Sequence, residues 1–370
     1  MSFQTFEITA GMKNIRLMGR MDLTQSPLAL DWTGSGMEFR FRGTDTWAKL
    51  EAPAAAPVMW MIVLADGQPV TRFPVEPGIR MYPLLLGLEA EQERTVTLMK
   101  ETQCMPEQPE ATVLLHSLRI NGELTELPER KMKIEFLGDS LTSGEGALAA
   151  KGNMEWVTPW FSARGNYSWY ACEALNAERS ILSQSGWGVC WDWQHTEKNN
   201  LTDAYEYVAG VLQGTEAEAR GCRKLWNFES WKPDIICIRL LTNDNNGMNE
   251  RKSFEEDREN VIRGAMNLIR KVRKYNPDAK IVWILPGTDC HPELAAEAVK
   301  RMQTEGMQEL YSFAVPDYGP EDMGARWHPN AEYNRKVGIM LGEFLKEIQN
   351  SEFRINSSGQ NIRVMTDAFV

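Results

Sequence analysis

A chain of 370 residues is longer than one ordinary hydrophobic core organises, so two folded units are expected. Its 43% hydrophobic and 25% charged content is that of a soluble globular protein. The net charge of -11, with no Lys/Arg run, sets a field that repels nucleic acid and anionic membrane, and a neutral substrate is expected.

The opening Met1-Ser-Phe-Gln-Thr-Phe-Glu7 has neither a basic n-region nor an apolar h-region, and no apolar run approaches the length of a membrane span. A cytoplasmic protein without a secretory signal is the expectation. Cysteines 104, 172, 190, 222, 237 and 290 form no CxxC pair, which fits reduced thiols better than a disulfide framework. The histidines, at 116, 195, 291 and 328, have no metal-ligand spacing, so no zinc site is expected.

In chain order, residues 1–128 read as β structure. Met37-Glu-Phe39-Arg-Phe41-Arg42 alternates, with Met37, Phe39 and Phe41 expected inward and Glu38, Arg40 and Arg42 outward. Similar runs are Ile15 to Met18, Met59 to Leu64, Thr95 to Met99 and Thr112 to Ile120, separated by turn signals at Gly34-Ser-Gly36, Asp66-Gly67 and Asn121-Gly122. With no long helical period, a β-sandwich or jelly roll is expected. The charged, Pro-bearing stretch at 122–131 reads as a connector.

From 129 to 350 strand and helix alternate. Strands are expected at 133–137, 179–183, 234–241, 280–285 and 312–315, and helices near 167–176, 201–215, 254–275, 292–305 and 330–349. That order predicts a doubly wound α/β domain on a roughly five-stranded parallel sheet. Residues 351–370 carry no strong pattern and are set apart as a C-terminal tail.

The chemistry-bearing residues stand at strand ends. Ile134-Glu-Phe-Leu-Gly138-Asp139-Ser140 is an apolar strand that stops in Gly-Asp-Ser, where α/β proteins present reactive groups, so Ser140 is the candidate nucleophile. Asn243, in Leu240-Leu-Thr-Asn-Asp244, follows the third strand, and His328 in Trp327-His-Pro-Asn330 precedes the last helix. Ordinary turns and helix caps use the same residue types: Asn243 could cap a helix, and Pro329 could open one after His328. Gly186 and Gly188 could be turn glycines or could lend a backbone N–H to an oxyanion. In a parallel sheet the carboxyl-end loops share one edge, so these residues can converge.

The order Gly-Asp-Ser-Leu, a glycine-bearing turn, Thr-Asn-Asp, then His-Pro resembles the SGNH (GDSL) hydrolase superfamily. The front half, with Arg16-Leu-Met-Gly19-Arg20-Met-Asp22, Pro27-Leu-Ala-Leu-Asp-Trp32 and Gly34-Ser-Gly36-Met-Glu-Phe39, resembles the amino-terminal jelly roll of carbohydrate esterase family 2. The resemblance implies an acetylesterase without a cofactor or metal, acting on acetylated oligosaccharides such as xylan or mannan fragments. It implies Ser140 as nucleophile and His328 as general base. Ser140 N–H, Gly186 N–H and the Asn243 side chain would form the oxyanion hole, with Gly186 preferred to Gly188. Trp327, before the histidine, would be a sugar platform.

Two departures stand out. The family often has Gly-Thr-Asn-Asp where this chain has Leu241-Thr-Asn-Asp, and the Asp usual three residues before the histidine is Ala325. Some family members work with a Ser-His dyad whose histidine is held by a main-chain carbonyl. Asp317, Glu321 and Asp322 are the substitutes available nearby in sequence. A lipase or thioesterase of the same fold is the runner-up, although no amphipathic lid is seen. A carbohydrate-binding protein with a decayed hydrolase domain is the reading from another class, with Ala325 as its argument. Turnover of p-nitrophenyl acetate against butyrate and octanoate separates the three.

Overall fold

The computed structural model describes residues 2–287 and 290–350, so the tail expected at 351–370 lies outside the described residues. The front half is one antiparallel sheet of nine strands: β1 (Phe3–Glu7), β2 (Ile15–Met18), β3 (Leu28–Leu30), β4 (Gly36–Ala52), β5 (Trp60–Ala65), β6 (Gln68–Pro74), β7 (Gly78–Leu85), β8 (Glu93–Lys100) and β9 (Val113–Leu124). Its main path runs β1-β9-β4-β8-β5-β6, with β2 and β7 also on β4 and β3 on β9, so the sheet folds over on itself as a β-sandwich.

The expected alternation is the start of β4. Met37, Phe39 and Phe41 are fully buried, and after a bulge at Gly43 the inward parity changes to Ala48 and Leu50. At that bulge the backbones of Gly43 and Gly122 nearly touch; a Cβ on Gly122 would lie 2.1 Å from the Arg42 carbonyl. Asn121-Gly122 is therefore inside β9 rather than a separator, and Gly36 opens β4. Strands β6 and β7 escape a pattern search because most of their residues are exposed, and Pro69 and Pro74 sit on an edge strand.

Glu38 corrects a second expectation. It does point away from the sandwich core, but that face is covered, and Glu38 is buried between Arg16 (2.6 Å) and Arg130 (3.0 Å).

The back half is a parallel sheet of β10 (Met132–Gly138), β11 (Ala177–Ser183), β12 (Ile235–Arg239), β13 (Lys280–Ile284) and β14 (Leu310–Phe313), ordered β11-β10-β12-β13-β14. Its helices are α1 (Ser140–Ser143), α2 (Tyr167–Leu175), α3 (Leu201–Ala204), α4 (Thr215–Ala219), α5 (Thr242–Arg251), α6 (Phe254–Tyr275), α7 (Pro292–Thr304) and α8 (Ala331–Asn350). Alternate residues of each strand serve opposite layers. Ile134, Phe136, Ile235 and Val282 pack with α2 and α8, whereas Leu137, Ile236, Ile238 and Trp283 pack with α6 and α7. Both faces are covered, as the near-continuous apolar strands require.

The helix expected over 201–215 is instead two short helices. Between them the chain turns and bridges to 222–225, with Val208 N–H on Lys224 O (3.0 Å) and Ala209 N–H on Cys222 O (2.9 Å). A Cβ on Gly210 would meet the Ala204 carbonyl at 2.2 Å, a close approach that an unbroken helix would not make.

The sandwich is bolted to the α/β layer by Arg20, from the loop after β2. Its guanidinium forms an ion pair with Glu135 on β10 (3.0 Å) and donates to the Tyr205 carbonyl (2.6 Å). It also lies over the rings of Tyr205 and Phe228, at 4.8 and 4.9 Å. Trp32 adds an indole hydrogen bond to Val208 O (2.7 Å).

Candidate active site

Strand β10 ends at Gly138, where a Cβ would collide with Thr142 Oγ1 at 2.1 Å, so only glycine admits the sharp turn into α1. Asp139 caps that helix, accepting Leu141 N–H at 3.0 Å, and burial pushes its carboxyl up to about 7. Ser140 is the first residue of α1, and its N–H has no acceptor within the helix.

Register places the other loops beside it. Gly138 pairs with Ser183 on one neighbour and with Arg239 on the other, so the segments leading to residues 186 and 243 leave the same sheet edge as Ser140. Gly186 takes φ 81°, and its N–H has no hydrogen-bond partner among the described residues. Gly188 is committed elsewhere: its N–H donates to Trp191 O at 2.8 Å, and a Cβ there would be 2.2 Å from Asp244 Oδ2.

Asn243 is buried on the first turn of α5 and donates through Nδ2 to Trp187 O (3.1 Å), leaving a second amide hydrogen. Beside it, Asp244 accepts Val189 N–H (2.9 Å) and Cys190 N–H (2.8 Å), tying α5 to the glycine loop; burial raises its carboxyl to about 6. Leu241, where the family often has glycine, takes φ 93°, so that departure is accommodated at a backbone cost.

His328 does not open α8, which starts at Ala331. Its Nε2 lies 2.7 Å from Ser140 Oγ and its Nδ1 2.8 Å from the Arg326 carbonyl. The Nδ1–H tautomer fits this arrangement: Nδ1 donates to the carbonyl, and Nε2 is free to accept from the serine. The carbonyl is aimed by two successive left-handed residues, Arg326 (φ 52°) and Trp327 (φ 58°). Such backbone costs about 1–2 kcal/mol per residue and is held here by Ala325 N–H on Gly146 O (3.1 Å), Arg326 N–H on Asn153 O (2.9 Å) and Gly324 N–H on His328 O (2.7 Å).

None of the three nearby carboxylates takes the place of the Arg326 carbonyl at Nδ1. Asp322 accepts Gly319 N–H (3.1 Å), and the Glu321 main chain accepts from Asn330 (2.9 Å).

The carbohydrate esterase 2 N-terminal family model matches residues 17–128. An acetyl xylan esterase (Est2A) from the rumen bacterium Butyrivibrio proteoclasticus superposes with a TM-score of 0.89 at 27% identity, over 94% of this chain and 99% of that one. In sequence and fold the chain resembles the carbohydrate esterase family 2 proteins. The chain is also 23% identical to an acetylxylan esterase / glucomannan deacetylase of Cellvibrio japonicus, over 94% of this chain and 92% of the relative. It is 25% identical to the cellulase/esterase CelE of Acetivibrio thermocellus over 86% of this chain, but spans only 37% of that longer protein.

Around the pair lie Trp327, singled out in the sequence, and three residues that sequence reasoning passed over, Trp193, Gln103 and Lys100. Trp193 is 51% exposed and flanks Gly186, whose carbonyl accepts its N–H at 2.8 Å. Trp327 is 70% exposed at the histidine loop, so it is not a core tryptophan. From the sandwich, Gln103 reaches across and accepts Ser185 N–H at 2.9 Å, next to Gly186. Gln103 is itself held by Lys100, a fully buried lysine whose ammonium donates to the Gln103 carbonyl (3.0 Å) and whose pKa burial lowers to about 8.

Because Nδ1 meets a carbonyl, Asp317→Asn, Glu321→Gln and Asp322→Asn are each expected to keep most activity on a small aryl acetate. Loss of a true orienting acid costs about 10⁴-fold. A fall of that size in any of the three would reveal a carboxylate partner of His328 and remove the carbonyl from that role.

Proposed function

We propose that the protein is an esterase that removes O-acetyl groups from plant-type oligosaccharides, such as acetylated xylan or mannan fragments, through an acyl-enzyme on Ser140. The observation that carries this reading is the 2.7 Å approach of Ser140 Oγ to His328 Nε2 at the carboxyl edge of the sheet. His328 takes the hydroxyl proton as Oγ attacks the acetyl carbonyl, and the Arg326 carbonyl steadies the imidazolium through Nδ1–H. Ser140 N–H, Gly186 N–H and the Asn243 amide receive the charge that develops on the former carbonyl oxygen. The sugar hydroxyl leaves with the proton from His328. Water then attacks the acetyl-serine, with His328 again the base, and acetate departs.

The exposed Trp327 indole offers a flat apolar face to the C–H face of a pyranose ring, and the overall negative charge suits a neutral ligand. Trp327→Ala is expected to raise KM for acetylated oligosaccharides about 10-fold or more while nearly sparing a small aryl acetate, the pattern of a lost remote binding contact. Equal losses on both substrates together with a lowered melting temperature would assign Trp327 to folding instead.

The function itself is tested by acetate release from acetylated xylo- and manno-oligosaccharides, alongside p-nitrophenyl acetate, butyrate and octanoate. Turnover of the acetylated sugars and a preference for acetate are expected. Preference for octanoate would favour a lipase or thioesterase, and binding of the sugars without any turnover would favour a binding protein.

A further inference from the structure

We propose that Glu145 is a positioning residue for the Ser140–His328 pair, fixing at once the carbonyl that orients the imidazole and the loop that carries Gly186. The inference deepens the serine-esterase reading of this site and rests on it. Glu145 lies five residues after Ser140, in a turn whose flanking Gly144 and Gly146 take φ 72° and 71°, and its N–H donates to Ser140 O at 3.1 Å. Its side chain is only 4% exposed. A carboxylate removed from water in this way must be met by donors, and the identity of those donors is informative.

One oxygen accepts from Arg326 Nε at 2.8 Å; the other accepts from Ser185 Oγ at 2.5 Å. Each partner stands next to a working group. Arg326 supplies the carbonyl on His328 Nδ1, and Ser185 precedes Gly186. The same turn braces the histidine loop through Gly146, whose carbonyl accepts Ala325 N–H (3.1 Å) and which has no room for a Cβ, since one would meet Ala325 O at 2.5 Å. Three loops that the sheet merely brings to one edge are thus locked together by a single side chain.

Physically, Glu145 stands in at one remove for the aspartate that Ala325 replaces. A triad acid acts on Nδ1 directly and holds the histidine by charge. A neutral carbonyl is a weaker acceptor, and here it depends on two left-handed residues that would relax if nothing restrained them. Anchoring the Arg326 guanidinium to Glu145 on one side, and to Met154 O (3.2 Å) on another, keeps that turn in place. Without the anchor the carbonyl moves off Nδ1, the imidazole proton is no longer confined to that nitrogen, and Nε2 loses its standing as acceptor from Ser140.

The test uses Glu145→Ala, Glu145→Gln and Arg326→Met in the full chain, with kcat and KM measured on p-nitrophenyl acetate. In parallel, the His328 Nδ1 proton is followed by NMR on 15N-histidine-labelled protein, which is tractable with four histidines. Displacement of a catalytic group by about 1 Å costs about 10²-fold, so Glu145→Ala should lower kcat by that order with KM little changed and should lose the Nδ1–H resonance. Glu145→Gln, which keeps the shape and an acceptor for Arg326, should recover most of the rate. Combining Glu145→Ala with Arg326→Met should cost no more than the worse single change, as two members of one linkage do. Wild-type kcat with a retained Nδ1–H signal in Glu145→Ala would overturn the proposal, as would a loss that only tracks a lowered melting temperature while the signal persists. If the wild-type protein hydrolysed no acetate yet its Nδ1–H signal still required Glu145, the positioning role would be supported and the esterase reading would fall separately.

Discussion

Ser140→Ala is expected to abolish acetate release while leaving the melting curve where it is. The hydroxyl sits at the mouth of the sheet edge with His328 Nε2 at 2.7 Å, and among the described residues no other serine hydrogen-bonds to that histidine. Loss of a nucleophile in a serine hydrolase lowers kcat by about 10⁶. The stability cost is small because the lost partner, the imidazole, stays tied to Arg326 O through Nδ1 and is only part-buried. Since nucleophile and base act as one unit, His328→Ala should be nearly as severe, and the double variant no worse than either alone. An active Ser140→Ala protein with a normal melting curve would refute the assignment of the nucleophile.

Arg20→Ala should produce the largest loss of stability of any single substitution considered. The guanidinium and Glu135 are both buried, and removing one member of such a pair strands the other, at a cost of about 3–5 kcal/mol. Among the described residues, Glu135 would retain only the Tyr205 hydroxyl at 3.1 Å as a side-chain hydrogen-bond partner. Urea unfolding monitored by tryptophan fluorescence reads the loss as a lowered midpoint. Replacing both partners by apolar residues, as in Arg20→Met with Glu135→Leu, should recover much of it, because no uncompensated charge then remains. A double variant as unstable as Arg20→Ala would mean that the ring stack and the Tyr205 carbonyl bond, rather than the stranded carboxylate, dominate. The tie also bears on the site, since the sandwich it seats is the one from which Gln103 reaches Ser185.

Much of this arrangement can be read in the amino-acid sequence, for identifiable reasons. The parallel sheet is legible because Ile235 to Ile238 and Ile281 to Ile284 are buried on both faces and so read as unbroken apolar runs, while Ile134 to Leu137 is interrupted only by the buried Glu135. Ser140, Asn243 and His328 could be singled out because strand-end loops of such a sheet meet; the register brings the Ser140 and Asn243 segments to one edge, and His328 reaches Ser140 there. The Arg326 carbonyl could not be found that way. Every residue has a carbonyl, and only a left-handed turn at Arg326 and Trp327 distinguishes this one. Glu145 was visible within the Gly-Asp-Ser segment, but its partners lie 40 and 181 residues away, beyond any local pattern. The helix read over 201–215 failed because residues 208 and 209 bond to 224 and 222 instead of to their own turn. In that stretch tertiary pairing overrode local propensity.

The central claim is that Ser140 carries the acetyl group between sugar and water. Mass spectrometry of protein quenched during turnover of an acetylated manno-oligosaccharide tests it most directly. The account predicts one added acetyl group on the peptide containing Ser140, its absence in Ser140→Ala, and its accumulation in a variant impaired in the water step. Rapid deacetylation with no acetyl on Ser140 at any quench time, or with the acetyl on another residue, would contradict it.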